Sequence, residues 1–263
     1  MTHLDTREIV PRLRVLESVA VIPRVASTNL IARRIVTECI DNELSLPHAI
    51  IIAGEQFAGR GRNERRWSSP AGKGIYATTL ISRAARELPL VPLEMANILA
   101  SFLRETFGID ARIKWPNDIL ANGRKIAGIL IEARVQEDRV YLLIGTGINV
   151  EPVADDERPN AVAISELSTR PFGGIEAATV AFIEHLDARL ARDLEHDRVL
   201  EEWRSLAIHK HGDRIQCTIG ERTITGTWNG IDEHGRALIR TAEGVTAVSA
   251  GDLTAAPDPP TEG

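Results

Sequence analysis

Gly59-Arg60-Gly61-Arg62-Asn63-Glu64-Arg65-Arg66-Trp67 stands between two apolar stretches, His48 to Ala53 and Gly74 to Ser82. Both read as strands, and the first, with three consecutive isoleucines, reads as a buried one. The segment between them carries four arginines and one glutamate, a local charge of +3 in a chain whose formal net charge is −6. Glycines at 59 and 61 let the backbone approach a ligand closely. Arginine forks suit carboxylates and phosphates, and a tryptophan at the edge offers a face for an aromatic base. The combination describes a mobile loop that closes over an anionic nucleotide. Taken alone, a basic run of this length also reads as a solvated connector. It is neither a Walker A loop, since G-x-x-x-x-G-K-[ST] occurs nowhere, nor a dinucleotide fingerprint, since the third glycine is missing.

Upstream, Val15 to Ile22 reads as a first strand ending before Pro23. Ser27-Thr28-Asn29 then supplies three capping types ahead of an amphipathic helix from Leu30 to Ile40. Downstream, Leu93, Ala96, Ala100, Leu103 and Phe107 recur at helical spacing behind Pro92. Strands follow at Ala111–Trp115, Lys125–Val135 and Arg139–Gly145, with Asn122-Gly123 as a tight turn between the first two. A long helical region covers Ile175 to Leu206. From His211 to Leu253 the pattern becomes five short strands, separated at Ile219-Gly220-Glu221, Asn229-Gly230 and Glu243-Gly244, as in a small β-barrel. The expected organisation is an α+β domain over residues 1–207, a β-barrel domain over 208–255 and a disordered tail over 256–263.

Composition narrows the function classes. The 263 residues are 43% hydrophobic and 26% charged, as in an ordinary globular protein. No run approaches the roughly 18 to 20 apolar residues of a membrane helix, and the mixed charges of residues 1–14 do not form a signal peptide. Two distant cysteines, Cys39 and Cys217, read as packed, reduced thiols of a cytoplasmic protein. The acidic balance argues against nucleic acid as a partner. The seven histidines lack metal-ligand spacing, and His209 and His211, flanking Lys210, read as solvated. No side-chain nucleophile stands out.

Two further segments carry chemistry. Lys114-Trp115-Pro116-Asn117-Asp118 reads as a strand end and turn, and Lys125 opens the apolar run Ile126 to Ile131. An ammonium beside apolar walls is well placed to meet an anion, and Asp118 suits a magnesium ion that accompanies nucleotide phosphates. In Gly145-Thr146-Gly147-Ile148-Asn149 a strand ends in small residues that leave space. Asn149 there reads equally as a reader of a base edge or as an Asn turn.

In this order and spacing, Ser27-Thr28-Asn29, Gln56, Gly59 to Trp67, Lys114 to Asp118, Lys125 to Leu130 and Gly145 to Asn149 resemble the motifs of biotin–protein ligases, over about residues 22–255. The resemblance implies a mixed, largely antiparallel sheet with helices, a class II synthetase-like catalytic domain, and an SH3-like C-terminal domain. It implies that Ser27, Thr28, Asn29, Gln56, Arg60, Gly61, Arg62, Lys125 and Gly145 bind biotin. Arg62, Arg65, Trp67, Asn117, Lys125 and Asn149 would bind ATP, Asp118 would hold Mg2+, and Arg62, Lys114 and Lys125 would be catalytic. The implied reaction joins biotin to ATP as biotinyl-5′-AMP and passes biotin to a lysine of a biotin carboxyl carrier protein, from a monomer or a homodimer. Glu64 replaces a glycine of some relatives, and too few residues precede Ser27 for the DNA-binding domain of bifunctional relatives. The rivals are a lipoate–protein ligase of the same fold, a non-catalytic biotin-binding regulator and an interaction module built on the β domain.

Overall fold

Ile50, Ile51 and Ile52 are at most 2% exposed, because the strand that holds them is covered on both faces. The computed structural model describes residues 4–63, 65–154 and 160–256. The expectations for Glu64 and for the tail at 257–263 lie outside the described residues. The isoleucines belong to β2 (Ala49–Ala53), which pairs in parallel with β1 (Ser18–Ile22) and antiparallel with β3 (Gly74–Ala84). The sheet continues through β4 (Arg112–Lys114), β5 (Asp118–Ala121), β6 (Arg124–Gln136) and β7 (Arg139–Asn149), in the spatial order β1-β2-β3-β7-β6-β5-β4.

Helices α1 (Thr6–Ile9) and α2 (Thr28–Asp41) come early, α3 (Val91–Phe107) lies mid-chain, and α4 (Ile164–Leu167), α5 (Gly174–Leu190) and α6 (His196–Leu206) follow β7. One side of the sheet packs on α3 and α5, with Phe102 buried edge-on against Phe107 and Phe182. The other side carries α2, whose Ala32, Val36 and Cys39 meet Ile51, Leu80 and Leu143. The α3 helix opens on Pro92 and ends at Gly108, which takes φ 68° and returns its N–H to Leu103 and Arg104. That left-handed stop favours glycine.

The C-terminal residues form β8 (Arg214–Ile219), β9 (Arg222–Ile231), β10 (Ala237–Thr241), β11 (Gly244–Val248) and β12 (Asp252–Ala255). They make one antiparallel sheet in the order β11-β10-β9-β8-β12.

Four local expectations need correction. Asn229-Gly230 does not separate strands: it lies within β9 and forms a bulge, where the register with β10 shifts and Gly230 takes φ 99°. The last strand of the large sheet does not stop at Gly145 but pairs with β3 through Asn149. A short strand, β5, occupies Asp118–Ala121, read as turn and connector from sequence. The helical region from 175 to 206 is two helices, interrupted at residues 191–195.

The N-terminal segment is pinned to α5 by one carboxylate. Asp187, 3% exposed, accepts backbone N–H bonds from Arg14 (2.7 Å), Val15 (2.9 Å) and Leu16 (2.8 Å). Charge-assisted bonds of this kind are strong, and the donors left behind on truncation are costly. Asp187→Ala should therefore lower unfolding free energy by about 3 kcal/mol in a urea titration. A loss below about 1 kcal/mol would show that water replaces the carboxylate.

Candidate active site

The arginine-rich segment is a hydrogen-bonded hairpin. Gly61 donates its N–H to Arg65 O (2.7 Å), and Trp67 donates to Gly59 O (3.0 Å). The turn lays the Trp67 indole across β6 and β7, on a surface without side chains. A Cβ on Gly147 would stand 2.4 Å from the indole, and one on Gly128 would stand 3.0 Å from it. Lys125 Nζ lies 5.0 Å from the Trp67 ring centroid and 2.6 Å from Asp118 Oδ1. Trp67 Nε1 is buried without a partner among the described residues, so it is a donor waiting for an acceptor.

This hairpin roofs a cavity of about 150 Å³. Its wall gathers most of the residues singled out from sequence. Ser27, Thr28, Asn29 and Gln56 stand at one end, with Gly145 beneath them. Arg60, Gly61, Arg62, Arg65 and Trp67 of the hairpin line it together with Asn117, Asp118 and Lys125.

Two expected residues fall elsewhere. Lys114 is not among the lining residues; its Cα pairs in register with Asp118 across β4 and β5. Asn149 is 2% exposed, and its amide nitrogen donates to Lys125 O and Val162 O, both at 3.2 Å. That nitrogen braces the Lys125 backbone.

At the polar end, Gln56 Oε1 accepts the Thr28 backbone N–H at 2.8 Å, and Gln56 Nε2 donates to Ser69 Oγ at 3.0 Å. Thr78 Oγ1 lies 2.7 Å from Thr28 Oγ1 and 2.6 Å from Asn29 Oδ1. Asn29 Nδ2 reaches Glu132 Oε1 at 3.2 Å, and Glu132 Oε2 pairs with Arg33 Nη2 at 2.5 Å. Sequence reading missed Thr78, Glu132 and Arg33. Two adjacent threonines in the otherwise apolar run Ile75 to Ile81 were the available signal for Thr78. Nothing local marked Glu132, whose helix partners lie about a hundred residues away.

At the basic end, Arg62 Nη1 donates to Asn117 Oδ1 at 3.1 Å and to Gly251 O at 3.4 Å, and Arg65 pairs with Asp252 Oδ2 at 2.5 Å. Asp252 lines the cavity, so the C-terminal sheet supplies part of the wall. Asn117 is held in turn by Ile129, giving its Nδ2 to the carbonyl and accepting the N–H on its own carbonyl. Among the described residues no group of three or more His, Cys, Asp or Glu is arranged to hold a metal. Any ion here would share Asp118 with ligand phosphates, a mode suited to magnesium. Cys39 and Cys217 are both free and buried. Burial, then the nearby Asp252 carboxylate, raises the Cys217 thiol above its ordinary pKa.

His209 is not the solvated residue expected from sequence. Its ring lies 4.6 Å from Trp228 of β9, and Nε2 accepts the Trp115 backbone N–H at 3.1 Å. The Trp115 indole donates to Gly235 O at 3.0 Å. Burial, then the positive charge of Lys114, depresses the His209 pKa to about 4.

Comparison with known proteins places these motifs in a wider set. The sequence profile described as "Biotin/lipoate A/B protein ligase family" matches residues 21–149, and "Biotin protein ligase C terminal domain" matches residues 210–253. The chain is 32% identical over 221 residues to the "Bifunctional ligase/repressor BirA" of Bacillus spizizenii, covering 78% of this chain and 65% of the relative. It therefore spans about two thirds of that relative's length. It is 30% identical over 231 residues to the Escherichia coli protein of the same name, covering 84% of this chain and 69% of the relative. The solved "Biotin protein ligase from Aquifex aeolicus in complex with biotin and ATP" has the same fold, with a TM-score of 0.70 at 24% identity over 91% of this chain and 98% of that one.

A neutral His209 couples stability to pH. The unfolded state takes up a proton below about pH 6.5, whereas the folded state resists until about pH 4. The His209 contribution is thus complete above pH 6.5 and is lost as pH falls, by up to roughly 3 kcal/mol at pH 4. His209→Gln should show a smaller loss of stability than the parent between pH 7 and pH 4 in parallel urea titrations. Equal slopes would mean that the imidazole is not held neutral.

Proposed function

The chain belongs to the biotin/lipoate A/B protein ligase family, and from that premise we propose that it activates biotin with ATP and transfers it to a lysine of a carrier protein. The observation that carries this reading is that one cavity has hydrogen-bonding groups from Thr28, Asn29 and Gln56 together with the cations of Arg62 and Lys125. Such a cavity fits a polar ring system joined through an apolar tail to a carboxylate, with a nucleotide beyond it.

The first step is attack of the biotin carboxylate on the α-phosphate of ATP, forming the acyl phosphate bond and expelling pyrophosphate. Two anions must meet, and their repulsion is the main electrostatic obstacle. Arg62 and Lys125 offset it from two directions. Lys114, the register partner of Asp118, is assigned to the distal phosphates. Asp118 fits magnesium as the single protein carboxylate of an ion that the nucleotide also ligates; bound there, the ion would neutralise phosphate charge. Trp67 offers its indole to the adenine face and its unpartnered Nε1 to an acceptor. Asn149, whose amide nitrogen holds the Lys125 backbone, stays assigned to the nucleotide side of the site.

The hairpin from Gly59 to Trp67 keeps water from the mixed anhydride. The carrier lysine then attacks the acyl carbon and AMP leaves. Neither step needs an enzyme nucleophile. The carrier is taken to be a biotin carboxyl carrier protein, encountered in the cytoplasm. The residues that would distinguish biotin from lipoate are those of the hydrogen-bonding end, because a dithiolane ring carries no N–H group.

The direct test is intact mass after incubation with biotin, ATP, magnesium and a biotin-accepting carrier domain. One biotinyl addition, dependent on ATP, is expected; an unmodified carrier together with no biotin-dependent ATP–pyrophosphate exchange would refute the reading. Lys125→Ala should slow that exchange on the order of 100-fold without unfolding the chain. Arg62→Gly should release the adenylate and label lysines of bystander proteins. If that variant retained the intermediate as tightly as the parent, the hairpin would not be the closure assigned to it.

A further inference from the structure

We infer that Glu132, which lies outside the cavity wall, sets the direction of the hydrogen bonds that prepare Thr28 to accept an N–H from the ligand's head group. This rests on the proposed biotin-activating function and names the group that selects the ring system.

The argument is one of counting protons. A carboxylate has only acceptor oxygens. Glu132, pinned by Arg33 at 2.5 Å, therefore forces the Asn29 amide to turn its –NH2 outward, toward Oε1 at 3.2 Å. The Asn29 carbonyl oxygen then faces Thr78, 2.6 Å away. That oxygen has no proton to give, so the Thr78 hydroxyl donates to it. Thr78 has only one proton, so the 2.7 Å contact between Thr78 and Thr28 requires Thr28 to donate. The Thr28 proton is then committed inward to the shorter contact, which leaves its 3.2 Å hydrogen-bond approach to Gln56 Oε1 the weaker of the two. Gln56 Oε1 already holds the Thr28 backbone N–H at 2.8 Å.

The consequence is an acceptor-only hydroxyl on the cavity wall. Thr78 is fully buried and Thr28 is 2% exposed, so solvent does not reset the chain. A head group that presents an N–H, as a cyclic urea does, meets a lone pair there. A ring that offers only sulfur leaves that lone pair unpaired, and unpaired buried groups are what make such sites selective. Gly145 permits the arrangement, since a Cβ there would stand 2.5 Å from Asn29 Oδ1.

Replacing the carboxylate by its amide removes the directional constraint and little else. In Glu132→Gln, Arg33 keeps the new amide oxygen, and the new –NH2 faces Asn29. The Asn29 amide then flips, Thr78 accepts from it and donates to Thr28, and the Thr28 proton turns outward. The measurement is biotin-dependent ATP–pyrophosphate exchange in parent and variant, with thermal melting alongside. The KM for biotin should rise roughly five- to tenfold, with kcat within twofold and an unchanged midpoint. An unchanged KM overturns the inference. So does a fall in kcat with a lowered melting temperature, which is the signature of a merely structural residue. A parent that shows no exchange with biotin would instead sink the proposed function.

Discussion

The site depends on a patch of sheet that has no side chains. Gly128 on β6 and Gly147 on β7 are register partners, and Gly145 lies two residues along β7 on the same face. Any Cβ at Gly145 or Gly147 would collide with Asn29 or Trp67 at about 2.5 Å. The bare strip therefore receives one residue from α2 and one from the arginine hairpin, which makes one end of the cavity polar and the other basic. Paired strands on both sides of β7 keep the strip rigid, so what it admits is set by covalent geometry and not by side-chain adjustment.

A basic site in an acidic chain needs its own counter-charges while it waits. Lys125 rests on Asp118, Arg65 on Asp252, and Arg62 on two uncharged oxygens. The Arg65–Asp252 pair is largely exposed, and such pairs contribute little in water. On the proposed function the weakness is useful, because a phosphate would replace Asp252 at little cost, whereas a buried pair would have to be broken at several kcal/mol. Lys125 and Asp118 are more enclosed. On the proposed function, a nucleotide accompanied by a divalent cation would offer a partner to each half of that pair.

How much of this was legible in the sequence follows from which signals are local. The Gly59 to Trp67 segment and Lys125 announced themselves because glycine, arginine and lysine in a short span carry their chemistry regardless of context. The buried strand at Ile50 to Ile52 and the α3 helix were legible from periodicity and composition. The continuation of β7 through Gly145 and Gly147 was not, because glycine disfavours a strand on propensity and only pairing on both sides overrides it. The Asn229-Gly230 pair is the strongest short turn signal in the C-terminal part, yet it makes a bulge; the positive φ that suits a tight turn suits a bulge equally. Thr78, Glu132 and Asp252 act on partners 49 to 187 residues away, and no pattern within a strand records such contacts. His209 was misjudged for the same reason, since its environment is made by Trp228 and Trp115.

The C-terminal sheet is part of the cavity by the same reasoning. Its buried residues Ile215, Trp228 and Ile239 belong to one continuous apolar cluster with Phe102 and Ile144 of the larger part. Trp115 gives its backbone N–H to His209 and its indole N–H to Gly235. Two residues further on, Asn117 holds Arg62, whose second acceptor is the carbonyl of Gly251. Arg62 is thus positioned from both sheets, and a shift of one against the other would change where its guanidinium lies. On the proposed function, a hairpin that closes over a reactive intermediate needs a fixed surface to close onto. With Gly251 and Asp252 on β12 or just before it, that surface is built only when both sheets are in place.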